Sequence, residues 1–126
     1  MLRFYVFDQD TRPEWSLEEA FLVGKGDAVL SGQPLWKNGV IECASSHRET
    51  YGLAIRWRVG DSVNYLLQTC LLAPRKEPYV LSLELARHRI KIFLDKCESW
   101  QMFTLGDDHP AMIAWEKARK LFVEAV

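Results

Sequence analysis

The stretch that most constrains the fold of this chain is Pro78 to Trp100, PYVLSLELARHRIKIFLDKCESW. Its apolar residues Leu83, Ala86, Ile90, Phe93, Cys97 and Trp100 recur at three- and four-residue steps, which at helical pitch align them in one stripe, widened by Leu94. Leu81, Leu85 and Ile92 form a second, narrower strip. Between the two strips lie Glu84, Arg87, Lys91, Asp95 and Glu98 on one flank and Arg89 and Lys96 on the other. The pattern predicts a single helix with Pro78 in its first turn, where the missing N–H costs nothing. A helix with two apolar faces is packed between two neighbours. One is the strand-rich N-terminal half, and the other is a second helix or another protein chain.

The N-terminal half reads as strands. Residues 2 to 8 alternate Leu2, Phe4 and Val6 against Arg3, Tyr5 and Phe7, the two-residue period of a strand with aromatics on both faces. Ser16 with Glu19 is compatible with a capping box, but a strand through Ala20 to Val23 is the preferred reading. Ala28 to Leu30 extend again. Asn38-Gly39, between Leu35-Trp36 and Val40 to Cys43, is a hairpin signal because both turn positions tolerate positive φ. Leu53, Ile55, Trp57 and Val59 alternate with Ala54, Arg56 and Arg58, giving one core face and one wet face. SVNYLLQTCLL is ambiguous, since Val63, Leu66, Leu67, Cys70 and Leu71 also fit a helix; a strand is the preferred reading, because it follows by a short turn and APRKEP ends it abruptly. After the long helix, Gly106 marks a stop, and Asp107 or Asp108 caps a second helix with Pro110 in its first turn and Ala111, Trp115 or Ala114, Ala118, Leu121 or Phe122, and Ala125 along its apolar stripe.

The expected fold is α+β: an antiparallel sheet or small β-sandwich over residues 1–74, followed by two amphipathic helices over 78–126, in one domain. At 126 residues with 48% hydrophobic and 26% charged residues, the chain is long enough for a real core and unlike disordered or membrane-spanning sequences. A net charge of −1 without a dense basic patch argues against nucleic acid as a partner. MLRFYVFDQD lacks the pattern of a secretory signal, so a cytoplasmic location is expected, with secretion not excluded. Three cysteines, Cys43, Cys70 and Cys97, have no metal-ligand or paired spacing and read as reduced, small apolar residues. The second helix reaches Val126 with its stripe still running, which reads as a piece of a longer polypeptide.

No residue set carries a reaction. Glu84, Arg87, His88 and Lys91 form a polar seam, and Ser45, Ser46, His47 and Glu49 lie in a turn-rich loop without the geometry of a nucleophile and base. No catalytic residue, metal or cofactor is expected. Trp15 and Trp36 are the two tryptophans that periodicity does not bury. With Arg56 and Arg58 on the neighbouring wet face they form a candidate platform for stacking on sugar rings. The candidate protein-interaction face is Leu81, Leu85 and Ile92.

The run LLQTCLLAPRKEPYVLSLELARHRIKIFLDKCESWQMF, followed by HPAMIAWEKARKLFVEAV, resembles the region preceding the catalytic barrel in endo-1,4-beta-xylanase-like proteins of glycoside hydrolase family ten from planctomycete-type bacteria. The resemblance implies a non-catalytic N-terminal accessory module of a larger bacterial enzyme acting on xylan. Its expected partners are a xylan-type oligosaccharide and the downstream catalytic barrel or a second copy. A (β/α)₈ barrel needs about 250 residues, so the catalytic carboxylates lie outside this chain. The different-class alternative is a protein-interaction or oligomerisation module that docks through helix 78–100 and the C-terminal helix without binding a ligand.

Overall fold

The structure, a computed structural model, describes residues 1–7, 17–46, 49–59 and 63–126. In chain order the described elements are β1 (Leu2–Tyr5), β2 (Phe21–Val23), β3 (Val29–Leu30), β4 (Leu35–Lys37), β5 (Val40–Cys43), β6 (Gly52–Val59), β7 (Val63–Gln68), β8 (Tyr79–Val80), α1 (Leu81–Ser99) and α2 (Pro110–Ala125). They build two four-stranded open sheets, ordered β4-β5-β1-β8 and β3-β2-β6-β7. This is the α+β class expected from the sequence. The pairings are antiparallel apart from β1 with β8, which is parallel, with Phe4 opposite Tyr79 and Tyr5 opposite Val80.

Strand alternation explains why the sheets share one core. Leu2 and Phe4 of β1 sit opposite Cys43 and Ile41 of β5, so these four side chains share a face. Leu22 of β2 pairs with Leu53 of β6, and Ile55 follows two residues on. All seven are fully buried and belong to one cluster with Tyr51, Leu81 and Leu85. Each such side chain contributes roughly 1.5–3 kcal/mol when removed from water. The Asn-Gly hairpin forms as expected, with φ of 50° at Asn38 and 82° at Gly39 joining β4 to β5. Ala54, expected on the wet face of β6, is buried, as is Val23 on the same outer side of the sheet.

The organising helix starts three residues later than Pro78 implies. Tyr79 and Val80 are drawn into backbone pairing with β1, so α1 begins at Leu81 after an extended Val80 that offers no side-chain cap. Arg75 holds the approach, stacked 3.7 Å from the Tyr79 ring centroid and donating to the carbonyls of Glu77 and Pro78. The helix ends before Gly106, because Gln101 takes the left-handed conformation with φ of 54°. His109, not Asp107 or Asp108, caps α2, its Nδ1 accepting from the Ala111 N–H at 3.1 Å.

Two buried hydroxyls inside the sandwich pair with backbone groups. The Tyr51 hydroxyl, on the β6 side, donates to the Cys43 carbonyl at 2.7 Å and accepts from the Leu2 N–H at 3.2 Å, linking the second sheet to two strands of the first. The Thr69 hydroxyl accepts from the Leu53 N–H at 3.1 Å and donates to the Cys70 carbonyl at 2.8 Å. A Cβ at Gly52 would lie 2.6 Å from that hydroxyl oxygen, so the close approach requires glycine. Tyr51→Phe leaves backbone groups of Leu2 and Cys43 without this partner in a buried place. It should lower stability by about 1–3 kcal/mol, read from urea unfolding midpoints, and an unchanged midpoint would remove the clamp from the account.

Burial pushes the Cys43 thiol from 9.0 up to about 12. The folded protein therefore holds this proton after the unfolded chain has lost it, so the stability it contributes is complete below pH 9 and disappears as pH rises towards 12. Cys43→Ala should flatten the alkaline decline in unfolding free energy relative to the parent protein.

Candidate functional site

The two apolar strips of α1 have separate fates. Leu81 and Leu85 are 0% and 3% exposed and lie in the sandwich core, with Ile92 half-buried further along the same side. That corrects the expectation that this strip is an outward docking face. The cause is β8: its pairing with β1 delivers the first turn of α1 directly onto the core. The main stripe, Leu83, Ala86, Ile90 and Phe93, instead faces α2.

The two helices form an antiparallel hairpin that closes along one side only. Phe93 stacks on Trp115 with centroids 4.9 Å apart and planes at 19°. Further along, Arg87 lies 5.3 Å over the Phe122 ring while its Nε donates to Glu84 Oε2 at 3.0 Å. Glu84 is buried, so this pair matters more than a surface one: removing Arg87 would leave a carboxylate short of its partner away from water. Beside these contacts the hairpin gapes into a groove of about 920 Å³. Its α2 wall is mostly alanine, from Ala111, Ala114, Ala118 and Ala125, with Leu121 and Phe122 between, and Phe7 and Val80 close it against the first sheet. Short alanine side chains cannot fill the space that the helix separation creates. No residue of α2 is buried, and Leu121 is 57% exposed.

Among the described residues, Arg89 is the one charged residue lining the groove, and it makes no ion pair or hydrogen bond there. On the sandwich side of α1, His88 is held below its ordinary value chiefly by burial, with Lys91 and Arg89 adding to the effect and Asp27 opposing it. Lys91 is engaged by Asp95 at 3.0 Å. The polar seam therefore divides into pairs, with Glu84 on Arg87 and not on His88.

Of the expected sugar platform, the structure places Trp36 and Arg56, and they stand on different sheets. Trp36 is 42% exposed on edge strand β4, opposite Ile41, which places it on the inward side of the first sheet. Arg56 alternates with the fully buried Ile55 and so stands on the outer side of the second sheet, where it pairs with Glu19 at 2.7 Å. Trp15, His47 and the side chain of Arg58 lie outside the described residues. Trp100, expected on the main stripe, is 65% exposed just past the end of α1, where Lys96 lies over its ring. Among the described residues no group of three or more His, Cys, Asp or Glu side chains is placed to hold a metal, and no helix is long and apolar enough to cross a membrane.

Comparison with family models, with curated proteins and with solved structures finds no match for this chain.

The groove was legible in part. The stripes of both helices are visible in the sequence, but they predict contact, whereas the spacing of four alanines on α2 is the signal that contact leaves a hollow. Because the stack lies at the edge of an open groove, Trp115→Ala should cost only about 1 kcal/mol, against about 3–5 kcal/mol for Phe4→Ala in the closed core. Comparable losses in urea unfolding would mean that the hairpin is closed in solution.

Proposed function

We propose that this chain is a protein-interaction module that docks an apolar partner surface in the groove between α1 and α2. The observation that carries this reading is a helix, α2, with no buried residue beside a groove whose lining is almost wholly apolar. Leaving such a surface in water forgoes roughly 25 cal/mol for each Å² of apolar area, and contiguous exposed apolar patches on soluble domains mark interaction sites. Two antiparallel helices with a gap alongside form the receptor half of helix-in-groove recognition. The partner supplies the third side.

The rival reading, a carbohydrate-binding front module of a xylanase-like glycoside hydrolase, draws on the partly exposed Trp36 and on the resemblance described above. It is weaker because Arg56 stands on a different sheet from that ring and is already paired.

Backbone amide shifts on titration separate the two. A leucine-striped helical peptide with uncharged flanks should shift amides of α1 from Leu83 to Phe93 and of α2, and Ala118→Glu should abolish the effect while the sandwich signals stay in place. Shifts confined to β4 on adding xylo-oligosaccharide, with none from the peptide, would replace the docking reading with the carbohydrate one.

A further inference from the structure

We infer that the groove selects an acidic amphipathic helix: a segment whose apolar stripe is flanked by a carboxylate that meets Arg89. The inference rests on the docking reading above and adds the chemistry of the occupant.

Any occupant of the groove changes the surroundings of Arg89. This side chain lies on the groove wall, exposed and without an ion-pair partner among the described residues. Any apolar body that fills the groove removes water from the guanidinium. A charge stripped of water without a counter-charge is costly, so an occupant that brings only apolar or basic groups is disfavoured by the same contact that seats it. A carboxylate at the edge of the apolar stripe converts that cost into a charge-assisted hydrogen bond, and arginine's planar fork suits it.

The shape of the walls favours a helix. Ala86 on α1 and the alanines of α2 put short side chains on both walls, against which large side chains at i, i+3 and i+7 of a third helix can pack as knobs. A second copy of this chain supplies this poorly. The exposed side of its α2 carries Ile113 and Val123, but at helical pitch Glu116 and Lys120 fall between them, and Glu116 is already held by Arg119 at 3.0 Å. That side is neither a continuous apolar stripe nor a free source of carboxylate.

The test uses the full chain and three fluorescently labelled helical peptides of about 18 residues with the same leucine stripe and flanks of Glu, Gln or Lys. Anisotropy at low salt should give the Glu peptide about tenfold tighter binding than the Gln peptide and the Lys peptide weaker still. Arg89→Glu should invert that order, and Arg89→Lys should keep it. Arg89 is exposed, so these variants should fold, which circular dichroism checks. Equal binding of all three peptides would overturn the acidic preference and leave the docking groove standing. No binding by any peptide, with sedimentation showing association of the chain that Ala118→Glu removes, would overturn it in favour of a second copy. Binding of laurate alone would overturn it in favour of a small anionic amphiphile. No binding of any probe by a monomeric chain would remove both readings.

Discussion

The molecule depends on the two-residue parallel pairing of Tyr79 and Val80 with the edge of β1. That pairing fixes where α1 starts and at what rotation, so Leu81 and Leu85 enter the core shared by the sheets. Once those two leucines are seated, the rotation of the whole helix is determined, because side chains on a helix keep fixed angular offsets. The broader stripe of Leu83, Ala86, Ile90 and Phe93 must then face away from the sandwich. It meets α2, and α2 meets little else. The groove thus follows from how the helix is anchored.

The sandwich itself is tied by both packing and polar matching. Seven fully buried residues from the two sheets interlock, while Tyr51 and Thr69 satisfy backbone groups that water cannot reach. Buried polar atoms of this kind cost little when paired and a good deal when orphaned, so they specify one relative placement of the sheets. The hairpin has no equivalent. Among the described residues it is held by one aromatic stack and by Arg87 bridging Glu84 and Phe122, few contacts for a helix the length of α2. A closely packed sandwich and a sparsely held helical hairpin are therefore separate parts of one chain.

Much of this architecture was readable from residue periods. The alternation of Leu2 and Phe4, of Leu53 and Ile55, and the Asn38-Gly39 turn led directly to strands and a hairpin, because each is a local signal that the global fold leaves undisturbed. Pro78 misled because the strand pairing that displaces the helix start is a contact over seventy residues away in sequence, and no local propensity reports it. The choice between the two strips of α1 failed for the same reason: a helical wheel gives faces but not which neighbour each face finds. Trp36 and Arg56 lie on strands near one another in sequence, which suggests a shared sheet, whereas β4 and β6 belong to different ones. The groove lay hidden in the alanines of α2, which read as an ordinary packing stripe until the helix separation is known.

The measurement that most directly tests this account is amide hydrogen exchange on the dilute, unliganded chain. Protection should be strong across Leu81 to Ile92, where α1 is anchored in the core, and weak across Ala111 to Ala125, where no residue of α2 is fully buried. Equal protection of the two helices in a monomeric sample would contradict it, since α2 would then be covered by its own chain and no receptor surface would remain.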